Sequence, residues 1–110
     1  MQTLTDAAFT TAAAATEWLA IDFGAPSCAP CVPFAKTVGA LAADYAGRVA
    51  FAAMDADAEP ETAARFGIRG LPTLLLLHRG AEVGRLVGNH SREKVQKFLD
   101  KIVAATDPRA

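Results

Sequence analysis

The only two cysteines of the chain, Cys28 and Cys31, are spaced C-x-x-C where one sequence pattern ends and another begins. Residues 17–23 alternate in the manner of a strand. After the pair, apolar residues recur at helical spacing as far as Tyr45, and Gly47 gives a stop signal. The pair therefore lies at a strand-to-helix junction. Because the first N–H groups of a helix are unpaired and carry partial positive charge, a thiolate at Cys28 is stabilised there.

Cys31 follows three residues later, one turn deeper on the same helical face and within reach of the Cys28 sulfur. Pro30 between them is predicted to lie in the first turn, where a proline costs little because that position needs no N–H. This arrangement predicts that Cys28 is a nucleophile and that Cys31 is its resolving thiol.

Two other uses of a C-x-x-C pair stay open at this point. Structural zinc needs about four ligands, and neither His78 nor His90 stands at ligand spacing from the cysteines; His90 is interpreted as solvated surface. A purely structural disulfide would close too small a loop to stabilise the protein much. The pattern therefore favours redox chemistry, with no metal and no cofactor expected.

The length and the net charge of the chain limit the number of domains and the classes of partner that we expect. A chain of 110 residues predicts one domain over residues 1–110, long enough to bury a core. A net charge of −1 gives no reason to expect nucleic acid or an anionic membrane as a partner. No apolar run reaches membrane-spanning length and no signal peptide is recognisable, so the protein is predicted to be cytoplasmic and monomeric. A lone cysteine pair in a reducing compartment is more often catalytic than structural.

The rest of the chain predicts the order β-α-β-α-β-α-β-β-α, which fits an α/β fold with a mixed sheet and helices on both faces. Asp6 is predicted to cap the first helix, and Ser91 the last. Residues 59–61 combine a proline with acidic residues, as expected at a helix start.

Asp22 is an anomaly in the strand that precedes the cysteines. The alternation places Leu19, Ile21 and Phe23 on one face and Trp18, Ala20 and Asp22 on the other. A carboxylate on so apolar a strand is either a strand-end residue near solvent or a buried proton acceptor. The pattern alone leaves both interpretations open.

Two further motifs complete a resemblance to a known family. The stretch around the cysteines, Asp22 to Cys31, is followed about forty residues later by Phe-Gly-Ile-Arg-Gly-Leu-Pro-Thr over residues 66–73, and then by Val87-Gly88. Together these motifs resemble thioredoxin over roughly residues 3 to 105. The resemblance implies the thioredoxin fold, with a mixed sheet of four to five strands flanked by four helices.

The resemblance also implies roles for individual residues. Pro72 would be a cis-proline beside the cysteine pair, and Asp22 would be the buried acid that assists deprotonation of Cys31. An extended substrate segment would pair with the backbone at Leu71 and approach closely at Gly88. The substrate-binding surface would comprise Ser27, Ala29, Gly70, Leu71 and Gly88.

The chain departs from the family pattern at several positions around the site. Gly24 and Ser27 stand where tryptophans are usual, and Ala53 stands where a lysine usually faces the buried acid. Lys36 replaces the proline that usually kinks the active-site helix, although Pro33 lies nearby. Ala56 replaces a usual apolar residue. The changes at Ser27 and Ala56 each remove on the order of 1–3 kcal/mol of burial if that surface is covered on docking.

The resemblance therefore implies a thiol–disulfide oxidoreductase that reduces protein disulfides and is itself re-reduced by a flavoprotein resembling thioredoxin reductase. Pro30 before Cys31 is typical of reductases rather than of oxidants or isomerases. Two alternatives stay open. One is a thioredoxin-like reductase for one or a few clients, and the other is a non-catalytic peptide-binding or redox-sensing module of the same fold.

Overall fold

The computed structural model describes residues 1–106, and its elements follow the predicted order. The strands are β1 (Gln2–Thr3), β2 (Trp18–Gly24), β3 (Ala50–Asp55), β4 (Thr73–His78) and β5 (Ala81–Val87). The helices are α1 (Asp6–Ala15), α2 (Cys31–Ala42), α3 (Pro60–Arg65) and α4 (Arg92–Thr106), and a 3₁₀ turn at Ala43–Tyr45 extends α2. No helix within this described part is long and apolar enough to cross a membrane.

The five strands form one mixed sheet in the order β1-β3-β2-β4-β5. β3 runs parallel to both β1 and β2, whereas β4 is antiparallel to β2 and β5 is antiparallel to β4. β2 is therefore central and is covered on both faces, as its nearly continuous apolar sequence predicts. The fold is the α/β thioredoxin fold that the resemblance implies.

The alternation along β2 divides the core into two layers. Trp18 and Ala20 pack with side chains of α2 and α4 on one face. Leu19, Ile21 and Phe23 pack with side chains of α1 and α3 on the other. Asp22 belongs by alternation to the face that α2 covers, so the carboxylate points toward the helix that carries Cys31.

The helix caps agree with prediction at one end of the chain and not at the other. The Ser91 hydroxyl accepts a hydrogen bond from the Lys94 amide at 3.2 Å, as expected of a cap. The prediction for Asp6 is wrong, because Thr5 caps α1 through the Ala8 amide. The Asp6 carboxylate instead accepts bonds from the start of α3, including the Thr62 amide at 2.8 Å and hydroxyl at 2.6 Å. A contact distant in sequence thus takes the side chain that local pattern assigns to its own helix.

The register of β1, β3 and β2 places three residues side by side in one row across the sheet. Thr3 pairs with Ala53, and Ala53 pairs with Asp22 on the next strand. On its other side Asp22 pairs with Leu74 of β4. Asp22 thus has a methyl group as its neighbour toward the β1 edge and a leucine as its neighbour toward β4.

Candidate active site

Two successive turns carry the chain from the end of β2 into α2. The Cys28 amide donates to the Ala25 carbonyl at 3.1 Å, and the Cys31 amide donates to the Cys28 carbonyl at 3.1 Å. The helix begins only at Cys31, so Pro30 is its N-cap residue rather than a residue of its first turn as predicted. Cys28 lies in the turn that leads into the helix.

The two cysteines form a disulfide in this structure, with their Cα atoms 5.3 Å apart. Their exposure differs: Cys28 is half-buried, whereas Cys31 is 7 % exposed. Ser27 and Ala29, the neighbours of Cys28, are both exposed. An approaching partner would therefore meet the Cys28 side of the disulfide first.

Asp22 is buried rather than solvated, with a relative exposure of 5 %. Its Oδ1 is out of contact with solvent and has no hydrogen-bond partner among the described residues. Burial disfavours the charged form and raises the pKa of Asp22 from the ordinary 3.8 to about 6. A carboxyl group in this state can exchange a proton near neutral pH.

Asp22 and Cys31 open onto a common cleft of about 520 Å³ between α2 and the β3–β1 edge of the sheet. Its walls are mostly apolar and small, because alanines occupy both sides. The remaining lining residues are Thr3, Gly24, Ala25, Pro26, Val32, Ala35, Lys36, Ala53, Met54 and Asp55. The cleft gives the carboxyl of Asp22 and the sulfur of Cys31 a shared passage to solvent.

The loop before β4 lies at the same end of the sheet as the cysteines, since Thr73 pairs with Phe23. The Leu71–Pro72 peptide bond is cis, as the resemblance implies. The Thr73 hydroxyl donates to the Gly70 carbonyl at 2.6 Å, and the Gly88 amide donates to the Pro72 carbonyl at 2.8 Å. These bonds fix the loop, with Pro72 buried and Leu71 half-buried.

Two glycines of this region occupy positions where a side chain would be strained or crowded. Gly88 has φ +107°, a conformation that side chains rarely adopt. A Cβ at Gly70 would lie 3.0 Å from a methyl of Val87, so the loop and the end of β5 pack directly together. Val87 itself is 52 % exposed and leaves an apolar surface beside Gly88.

Two further residues border the site, and sequence reasoning did not assign one of them, His90, to it. A Cβ at Gly24 would lie 3.5 Å from the Cys31 sulfur, so this position borders the resolving thiol. His90 lies at the surface but is only partly exposed, and its Nε2 lies 2.7 Å from the Val87 carbonyl. Gly24 could be noticed in the sequence because it stands where the family usually has a tryptophan, whereas the only sequence signal for His90 was its proximity to Gly88 along the chain.

Of the two alternative uses of the cysteine pair, the zinc site finds no further ligands in the part of the chain that the structure describes. Within residues 1–106, no three His, Cys, Asp or Glu side chains are grouped so that they could hold a metal ion. A C-x-x-C disulfide ahead of a helix, with a buried carboxyl behind it and a cis-proline loop at the same end of the sheet, defines the class of thiol–disulfide oxidoreductases.

Comparison with known proteins identifies the family. The family model described as thioredoxin matches residues 1–101. The chain is 37 % identical over 81 residues to a thioredoxin of Staphylococcus aureus, covering 74 % of this chain and 78 % of that protein. It is 36 % identical over 81 residues to Thioredoxin 2 of Chlorobaculum tepidum, covering 74 % of each.

The chain therefore belongs to the thioredoxin family. It is a thioredoxin-type thiol–disulfide oxidoreductase whose dithiol is Cys28 and Cys31, and it reduces disulfides of protein substrates with electrons from a reductase.

Proposed function

We propose that Cys28 attacks the substrate disulfide, that Cys31 resolves the mixed disulfide, and that Asp22 accepts the proton of Cys31. The observation that carries the proposal is the shared burial of Cys31 and Asp22 along one cleft, with Cys28 nearer the surface. A buried thiol needs a nearby base to become a thiolate, and Asp22 is the carboxyl that lines the cleft at the same depth.

The reaction balances in two exchanges. The Cys28 thiolate attacks one sulfur of the substrate disulfide, so that a Cys28–substrate bond forms, the substrate S–S bond breaks and one substrate thiolate leaves. Cys31 gives its proton to Asp22 and attacks the Cys28 sulfur. The Cys28–Cys31 disulfide forms, and the second substrate thiolate leaves. Two electrons have passed to the substrate, and a flavoprotein disulfide reductase resembling thioredoxin reductase returns two electrons to the pair.

The substrate segment binds in extended form beside the disulfide in this proposal. The backbone of Leu71 pairs with it, Pro72 and Gly70 shape the loop, and Gly88 allows close approach. The positive φ of Gly88, a conformation suited to glycine, supports this close approach, and the packing of Gly70 against Val87 holds the loop beside the end of β5. Ser27 and Ala29 form the rim around Cys28. The protein acts as a cytoplasmic monomer.

Limited alkylation of the reduced protein tests the division of roles between the cysteines. We expect iodoacetamide near neutral pH to label Cys28 first, because Cys31 is 7 % exposed and Cys28 is half-buried. Peptide mass spectrometry at low extents of reaction measures the two rates, and denatured protein gives their intrinsic ratio. Preferential labelling of Cys31 in the folded protein would reverse the assignment.

The second candidate function is a reductase for one or a few client proteins, and the exposed Ser27 favours it. A large apolar residue there would add on the order of 1–3 kcal/mol of burial on docking. We therefore expect Ser27→Trp to raise the second-order rate with protein disulfides about tenfold, while the rate with a small aromatic disulfide stays nearly unchanged. Ser27→Ala is the matched control. Equal acceleration with both substrates would mean that Ser27 acts on the thiol rather than on docking.

A further inference from the structure

The two carboxylates that line the cleft, Asp22 and Asp55, differ in their hydrogen-bond partners. Asp22 is buried, and its Oδ1 has no hydrogen-bond partner within residues 1–106. The other carboxylate of the cleft, Asp55, accepts backbone N–H bonds from Asp57 at 2.9 Å and Ala58 at 3.1 Å. A buried charged group without a partner is strongly disfavoured. Asp22 is therefore the group in the cleft that gains most from a cation.

The lining of the cleft supplies one cation and a path for it. Lys36, on α2, is the basic residue among the described side chains that line the cleft, and it is exposed at the mouth. Between the helix and the strand edge, the floor beside Asp22 is the methyl group of Ala53, its neighbour in the strand register. A lysine side chain is long and flexible, and it lays its methylene stem on apolar surface while its ammonium seeks a polar partner.

We propose that Lys36 is a positioning residue of the disulfide exchange: its side chain folds across Ala53 into the cleft, and its ammonium pairs with the carboxylate of Asp22. The proposal rests on the role of Asp22 as proton acceptor for Cys31. Paired with Lys36, Asp22 stays ionised to lower pH and remains available as a base. The cation thus extends resolution of the mixed disulfide toward acid.

Among the described residues, the other groups that line the cleft or flank Asp22 carry no positive charge that could pair with its carboxylate. Asp55 contributes negative charge and is engaged with its own turn. Leu74 flanks Asp22 from β4, and Thr3 contributes a neutral hydroxyl at the β1 edge. Cys31 is the remaining titratable group on the cleft, and it carries no charge in the disulfide form.

The test is a carboxyl NMR titration of the oxidised protein, in which the cysteines do not titrate. Lys36→Met keeps the apolar stem and removes the charge. We expect this variant to raise the pKa of Asp22 by about one unit, a tenfold change in the ratio of protonated to ionised carboxyl. Lys94→Met on α4 is the matched control, since it removes the same charge from an exposed position outside the cleft.

A kinetic measurement adds a readout that a purely structural role would not move. Release of a preformed Cys28 mixed disulfide is followed against pH, and we expect the rate profile of Lys36→Met to move toward alkaline pH by the same unit. Equal shifts in Lys36→Met and Lys94→Met, or none in either, would overturn the proposal. The role of Asp22 is judged separately, by whether Asp22→Asn removes this pH dependence altogether.

Discussion

Replacement of Cys31 with serine is expected to stop turnover and to leave the protein covalently joined to its substrate. The first exchange needs only Cys28, which is nearer the surface, so attack on a substrate disulfide continues. The second exchange needs a thiolate at position 31, and a serine hydroxyl does not displace a thiol from a disulfide. We expect at least about a hundredfold loss of turnover with accumulation of one mixed disulfide per chain.

Non-reducing electrophoresis and intact mass measure the trapped complex. Ala29→Ser is the matched control, because it adds a hydroxyl to the same loop and keeps both thiols. Cys28→Ser should form no complex under the same conditions. If Cys28→Ser accumulates the complex and Cys31→Ser does not, the roles proposed for the two cysteines are reversed.

Local pattern was sufficient for most of the fold because each element carries its own signals. The alternation along β2 predicted which side chains enter each core layer, and the two layers contain those residues. Ser91 could be recognised as a cap because its partner, the Lys94 amide, lies three residues away. Asp6 could not be interpreted in this way, because its partners in α3 are more than fifty residues distant in sequence.

The residues of the candidate site also differ in whether local sequence could identify them. The cysteines, the proline loop and Gly88 stand in contiguous motifs, so sequence alone could name them. The state of Asp22 depends on what covers its strand, and the pattern left a solvated and a buried position equally open. The cleft depends on small side chains from three parts of the chain, Ala25, Ala35 and Ala53, which only the folded structure brings together.

Replacement of Asp22 with asparagine is expected to stabilise the oxidised protein at neutral pH. The side chain keeps its shape and loses a charge that burial disfavours. The pKa of Asp22 is raised from 3.8 to about 6 by burial, and this difference at about 1.4 kcal/mol per unit makes the ionised carboxylate destabilising by about 3 kcal/mol. A pairing with Lys36 that lowers the pKa by about one unit would reduce the gain to about half.

Because the pKa of Asp22 is raised in the folded protein, the stability gained by Asp22→Asn depends on pH. Between pH 4 and pH 6 the folded protein holds a proton on Asp22 that the unfolded chain has released, so the free energy of unfolding of the wild type falls as pH rises through this window. The advantage of Asp22→Asn should therefore be small at pH 4, grow up to pH 6 and stay constant above it.

Denaturant unfolding of the oxidised proteins at pH 4 and pH 8 measures this difference. Asp55→Asn is the control, because its side-chain oxygen can still accept the bonds from the Asp57 and Ala58 amides and it should be no more stable than the wild type. An equal advantage of Asp22→Asn at both pH values would show that the carboxylate of Asp22 is not destabilised by its burial. It would then lack the raised affinity for a proton that lets it serve as the base for Cys31 near neutral pH.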